Sequence, residues 1–286
     1  MSHPHLLIQQ DGRLLRIQLN RAEDNGTSDS MAAALSEAVL TAHETSDAVI
    51  LTSVGPDFCT GRIRDAGPSP ASPEAYTRRD EYDSIFNSYK ALRNCKVPVI
   101  GVIEGRCMGF GTAIASLCDV TFASESATFN IPEIAHNVMP TMVMSAVYDR
   151  MNRNAILWMA YSSDFISAQQ AMTYGIISNV VAADKLQAEV DRFCGILLSR
   201  PRPAILGLKE YLRVAPPHGR TRRDRLRPQP ALHGQHLGRH EAQSALRHAW
   251  KSLANKSSPC HATWCGLPLT TPRYSKPVYP AASRWS

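Results

Sequence analysis

The sequence lacks the features that would carry a chain out of the cytosol. No apolar run is long enough to span a bilayer. The opening, MSHPHLLIQQDG, has neither the basic flank nor the apolar core of a secretory signal. The seven cysteines include no Cys-x-x-Cys pair and are odd in number. That excludes a regular disulfide framework and suits a reducing compartment. The expectation is a cytoplasmic protein with no membrane partner. No internal repeat is visible, so solenoids are excluded. Cys260, His261 and Cys265 are too few for a zinc site, and no metal is expected.

What is present is divided unevenly. The 286 residues suffice for one large domain or two small ones. Residues 1–215 hold 19 basic and 23 acidic side chains, a net −4, whereas residues 216–286 hold 12 and 2, a net +10. The whole positive excess therefore lies in the last quarter. After Pro216 the run PPHGRTRRDRLRPQPALHGQHLGRH shows no apolar face. A basic tail can bind nucleic acid, but aromatic and basic residues do not interleave here as in a nucleic-acid module, and no nucleic-acid partner is expected. Residues 216–286 read as disordered or as the product of a shifted reading frame, with one short helix allowed over 242–255. Intact mass and limited proteolysis test this; a protease-resistant tail would count against it.

Before that point, short apolar runs alternate with helical periodicity. Leu6–Gln9 and Leu14–Leu19 predict a hairpin around Asp11-Gly12. Ser30 predicts a helix start, Ala48–Ser53 a buried strand, 66–73 a loop, and Glu74–Asn94 a long helix with Tyr82, Ile85, Phe86, Tyr89 and Leu92 inside. Strands follow at Pro98–Ile103, Val120–Ala123, Thr128–Asn130 and Ile176–Val181. Helices follow at Val143–Met159, from Ser167 to Gly175, and at Asp184–Leu198. The alternation predicts an α/β domain with largely parallel strands over 1–200. A C-terminal helical region begins over 201–215, with Leu206, Leu208 and Leu212 apolar.

Two turns share one logic. Cys59-Thr60-Gly61-Arg62 and Met108-Gly109-Phe110-Gly111 each follow a strand and place glycine at a tight bend. Backbone N–H groups freed there can converge on one oxygen, and two donors about 3 Å from a developing oxyanion are worth roughly 3–4 kcal/mol each. The same glycines also suit close packing of strand against helix. The spacing G-x3-G-x-G is not the dinucleotide pattern.

The block PVIGVIEGRCMGFGTAIASLCDVTFASESATFNIPEI, Pro98 to Ile134, resembles the enoyl-CoA hydratase/isomerase (crotonase) superfamily. So do Asn20-Arg21 with Asn25, Phe58-Cys59-Thr60-Gly61, and Phe165 to Ala171 followed by Gly175 and Val180-Val181. The resemblance runs in order through about residues 6–212. It implies the crotonase-like ββα spiral, an acyl-CoA thioester substrate with coenzyme A as part of it, no separate cofactor, and a homotrimer or dimer of trimers. By position it implies an oxyanion hole from the backbone N–H of Arg62 and Phe110, with Gly61, Gly109, Met139 and Thr141 at the substrate.

The resemblance also marks departures. Of the two glutamates that serve hydration in the family, the first position is Ala113 and the second is kept as Glu133. One carboxylate can still move a proton between two carbons. The expected reaction is therefore enoyl-CoA double-bond isomerisation with Glu133 as base. Hydration with a displaced second acid, Asp65 for instance, is the alternative, and a non-catalytic CoA-binding paralogue a further one. Thr141 stands where dehalogenase members keep an aspartate nucleophile, which argues against that chemistry. Met139, Met142 and Met144 fit an apolar pocket lining or the core equally.

Overall fold

The computed structural model describes residues 3–65 and 82–214, all within the first of two units, Met1–Thr221. The expected loop over 66–73, the first turns of the helix expected from Glu74, and everything assigned to 216–286 lie outside the described residues.

The chain opens as the expected hairpin, β1 (Leu6–Asp11) antiparallel to β2 (Leu14–Leu19). The polar stretch that follows contains a short strand, β3 (Gly26–Thr27), which periodicity could not show in two residues. Helix α1 (Asp29–Thr41) is capped by Ser28, whose hydroxyl accepts from the Met31 N–H, and not by Ser30 as expected. Ser30 already lies inside the helix, and its hydroxyl and N–H both donate to Asp65.

β4 (Ala48–Ser53) and β5 (Gly61–Arg62) precede α2 (Asp83–Asn94). β6 (Val99–Ile103) and β7 (Arg106–Met108) lead into α3 (Phe110–Leu117). β8 (Val120–Ser124) and β9 (Thr128–Asn130) follow. The helix expected over 143–159 is two helices, α4 (Thr141–Val147) and α5 (Arg153–Ser162). The break has one local cause and one distant cause. The Asn152 side chain caps α5 by accepting from the Ala155 N–H. The Arg93 guanidinium meanwhile donates to the carbonyls of Ser145 and Ala146 and to Asp149. β10 (Ile166–Ser167) runs into α6 (Ala168–Tyr174), with Ser167 and Gln170 as a capping box and Gly175 ending it at φ 87°. β11 (Asn179–Val181), α7 (Leu186–Ser199) and α8 (Arg202–Val214) complete the described chain.

Six strands form one sheet in the order β1-β2-β4-β6-β8-β11, parallel except for the edge pair β1–β2. Both faces are covered, and successive side chains alternate between them. Val49 and Leu51 join the cluster with Met31, Leu35, Ile85, Leu92 and Ile114. Ala48 and Ile50 join Phe122, Leu186, Val190 and Cys194 on the other face. Each fully buried aliphatic side chain there contributes roughly 1.5–3 kcal/mol. A smaller sheet, β10-β9-β7, and the pair β3–β5 stand apart from the main one. Every residue of α3 is buried, which explains its small side chains and leaves Ala113 at 0 % exposure.

Candidate active site

The small sheets bring the two glycine turns together. Cys59 and Cys107, both free thiols, pair as a parallel backbone β-bridge, and the Met108 N–H donates to the Cys59 carbonyl at 2.8 Å. A Cβ on Gly111 would lie 2.7 Å from that same carbonyl oxygen and 2.8 Å from the Cys59 Cβ, so only glycine fits where α3 starts against the first turn. Gly26 and Thr27 pair in register with Gly61 and Arg62, which fixes the first turn to the strand before α1.

The second turn has the form of a helix N-terminus. Gly109 takes φ 49° and ψ −108°, a region closed to side-chain-bearing residues, and its N–H donates to the Asn130 carbonyl at 3.0 Å. The unusual dihedrals fall on Gly109, and Phe110 follows with a negative φ as the first helical residue. Among the described residues the Phe110 N–H has no acceptor. It projects from the positive end of a buried helix. Thr112 anchors the start of that helix, its hydroxyl lying 2.8 Å from the Cys107 carbonyl and 2.9 Å from the Asn130 carbonyl.

Glu133 stands over this turn. It opens a 3₁₀ turn, Glu133–His136, directly after β9 and Pro132. A Cβ on Gly109 would lie 3.0 Å from the Glu133 Oε1. The other oxygen, Oε2, is buried without a hydrogen-bond partner among the described residues. Burial raises the Glu133 carboxyl above the usual carboxylate range, against smaller opposing effects of its own backbone N–H and of His136. His136 itself is exposed.

One residue of the site was not singled out in the sequence. Tyr89 appears there only as one of several apolar positions in a helix. In the structure its ring stacks on Phe110 with centroids 5.6 Å apart and an interplanar angle of 20°. The residue is 3 % exposed, and its hydroxyl has no partner among the described residues. Glu133, Cys59 and Arg62 all act on that hydroxyl electrostatically. Burial, with Glu133 adding to it, pushes the phenol far above its ordinary range. The signal was available: Ile85, Tyr89 and Leu92 share a buried stripe of α2, and a hydroxyl on such a stripe needs a partner. Three buried side-chain atoms among the described residues lack partners, on Tyr89, Asn130 and Glu133. The Tyr89 ring stacks on Phe110, the Asn130 main-chain carbonyl accepts from the Gly109 N–H, and the other Glu133 oxygen, Oε1, lies beside Gly109. The three residues that carry unsatisfied atoms thus all neighbour this turn.

The remaining expected residues fall as follows. The Arg62 guanidinium turns away, forking onto Asp29 at 2.7 Å through both Nε and Nη2 and lying over the Tyr82 ring. Its main chain stays in the first turn. Thr141 opens α4 and is exposed. Met139 is 77 % exposed, whereas Met142 and Met144 pack on the core, so the three methionines do not form one lining. Asp65 accepts from the N–H and the hydroxyl of Ser30 at the start of α1. A cavity of about 830 Å³ lies elsewhere, between α2, α7 and α8, lined by Lys90, Tyr148, Phe193, Leu208 and Leu212 among others. Neither Glu133 nor Phe110 borders it. No three His, Cys, Asp or Glu side chains cluster as a metal site among the described residues. No described helix is long and apolar enough to cross a membrane.

Known proteins resemble this chain in sequence and in fold. The family model described as enoyl-CoA hydratase/isomerase matches residues 9–243. That match runs past Pro216, where the sequence reading places the loss of the family pattern. Enoyl-CoA hydratase domain-containing protein 3, mitochondrial, of Mus musculus is 26 % identical over 220 residues, covering 74 % of this chain and 71 % of its own. The solved enoyl-CoA hydratase of Mycobacterium smegmatis superposes with a TM-score of 0.69 at 24 % identity, over 88 % of this chain and 91 % of that one. A Thermobifida fusca YX chain solved in complex with CoA gives 0.66 at 22 % identity, over 88 % and 92 %. The fold is the crotonase fold expected from the sequence.

Proposed function

The chain belongs to the enoyl-CoA hydratase/isomerase family, and on that footing we propose an acyl-CoA enzyme that works through a thioester enolate, with Glu133 as its one carboxylate base and double-bond isomerisation as its reaction. The observation that carries this reading is the Glu133 carboxyl set against Gly109, beside the unpartnered Phe110 N–H, with Ala113 where a second acid would stand.

In this reading the main-chain N–H groups of Arg62 and Phe110 hold the thioester oxygen, and the N-terminal end of α3 adds to the field on it. Glu133 takes a proton from C2 of a 3-enoyl thioester. The electron pair moves into the dienolate, whose negative oxygen the two N–H groups stabilise. Glu133 then returns the proton at C4, and the double bond ends between C2 and C3. Its raised proton affinity suits a group that must both take and give a proton near neutral pH. Gly61, Gly109, Met139 and Thr141 border the substrate. Coenzyme A enters as part of that substrate. The Thermobifida fusca chain solved with CoA supports this ligand class. Cytoplasmic location and assembly as a homotrimer or dimer of trimers belong to the same proposal; light scattering on the eluted protein tests the assembly.

The test is direct. Purified protein is given 3-enoyl-CoA or 2-enoyl-CoA while absorbance of the conjugated thioester is followed. A rise with the 3-enoyl ester is the expected result, and Glu133→Gln should lower it at least about 1000-fold. Unchanged turnover in that variant would remove Glu133 from the mechanism. CoA-ester binding with no turnover of either substrate would favour a non-catalytic paralogue.

A further inference from the structure

The proposed chemistry leaves the cavity of about 830 Å³ unused. Its volume falls within the roughly 300–1,000 Å³ of small-molecule sites. It opens at the N-terminal ends of two neighbouring parallel strands, where Pro98 leads into β6 and where Asp119 and Val120 lead into β8. The Gly109 turn follows the other end of β6, so the length of that strand, roughly 15 Å, lies between the two places.

Ion pairs frame the cavity. Lys209 of α8 donates to the Val97 carbonyl and to Asp119, each at 2.6 Å, and Asp119 also accepts from the Val99 N–H. Arg93 of α2 forks onto Asp149 at 2.7 Å through both terminal nitrogens. These contacts engage both carboxylates of the lining, and Arg213 is held by Glu210 on its own helix. Lys90 and Arg150 are left over. Both line the cavity, and neither side chain makes a hydrogen bond or ion pair with a described residue. Lys90 stands one helical turn before Arg93, and Arg150 directly follows Asp149, so the Arg93–Asp149 pair brings the two cations to one end. The rest of the lining is largely apolar. Ile205, Leu208 and Leu212 make a stripe about 10 Å long on one face of α8. Leu208 and Leu212 are 62 % and 63 % exposed. Phe193 of α7 lines the same space, its ring edge-on to Phe122 with centroids 5.4 Å apart.

We propose that this cavity is a binding site for a single-chain amphipathic anion, a medium-chain fatty carboxylate, with its chain along the α8 stripe and its head on Lys90 and Arg150. Charge and polarity together select this occupant. A neutral hydrocarbon leaves two cations without a counter-charge, and a small anion leaves the leucines in water. The 216–286 segment, at net +10, has the wrong sign to cover the cations. The proposal does not depend on the acyl-CoA reading, because none of the residues assigned to that site borders the cavity.

Titration calorimetry on the full chain, with decanoate, 1-decanol and acetate as probes, separates head from chain. Decanoate should bind at one site at least about 10-fold more tightly than 1-decanol, and acetate should give no measurable heat. Reversing both charges, Lys90→Glu with Arg150→Glu, should weaken decanoate about 30-fold and leave 1-decanol unchanged. Leu208→Trp, at an exposed position, obstructs the stripe and should abolish binding of both, with a melting temperature within about 2 °C of the parent. Turnover of 3-enoyl-CoA should be the same in these variants as in the parent. No decanoate binding by the parent overturns the proposal. So does equal binding of decanoate and 1-decanol, or decanoate binding that both sets of substitutions leave intact. Self-association that Leu208→Trp removes, seen by light scattering without decanoate binding, overturns it in favour of a second copy of the chain on this face.

Discussion

The two glycine turns have the same proposed task and are built by different means. The turn at Gly61-Arg62 is a strand end, locked in parallel register to Gly26-Thr27 and bridged to Cys107 through Cys59. The turn at Gly109-Phe110 is a helix start, held by the Asn130 carbonyl below and covered by Glu133 above. A strand end gives position through a ladder. A helix start gives position and also a field, because its first N–H groups have no partners within the helix. The proposed base, Glu133, stands on the helix-start side. The proposed donors are main-chain groups, and the side chains of Arg62 and Phe110 are engaged elsewhere, on Asp29 and Tyr89.

Breaking the contact between the turns should have the largest effect. Gly111→Ala forces a Cβ against the Cys59 backbone, with no flexible side chain to yield. The expected cost is about 3 kcal/mol, read as a melting temperature lower by roughly 6–12 °C. Activity should disappear with it. Gly109→Ala comes next and sharpens the contrast. It strains the backbone by about 1–2 kcal/mol and pushes on Glu133, so kcat should fall roughly 100-fold while most of the protein stays folded by circular dichroism.

A pH series isolates the helix-start side alone. With its proton affinity raised by burial, Glu133 is ionised only above the usual carboxylate range, so the acid limb of kcat/KM for isomerisation should lie above that range. The sign for stability follows from the same shift. The folded state holds the Glu133 proton more tightly than the unfolded chain, so this group's contribution is greatest at low pH and is lost as pH rises through its folded value. Glu133→Gln should match the parent's melting temperature near pH 4 and exceed it at pH 8. The smallest effect is expected on the strand side. Arg62→Ala removes a half-buried ion pair with Asp29 and keeps the main chain, so stability should fall by about 1 kcal/mol and kcat/KM about five-fold.

Much of this was legible in the residues. The hairpin, the parallel strands, the Ser167 cap and the Gly175 stop follow from local periodicity and turn chemistry, which act over a few residues. Glu133 and the functional reading of the two glycine turns came from the family resemblance, because glycine spacing alone fits close packing as well. The misses share a different cause. β3, β5 and β10 are two-residue strands, defined by their partners and not by any pattern of their own. The break between α4 and α5 depends on Arg93, which arrives from α2. The engagement of Asp65 by Ser30, distant in sequence, was likewise not legible from local pattern.

By itself the sequence determined most element types and the alternation of buried faces, since each depends on neighbours along the chain, while Glu133 was picked out by the family resemblance. Only the tertiary structure decided that Tyr89 lies against Phe110 and that Glu133 covers Gly109. The reason is physical. Burial and hydrogen-bond satisfaction depend on groups from separate elements, and a side chain's chemistry is set by what surrounds it.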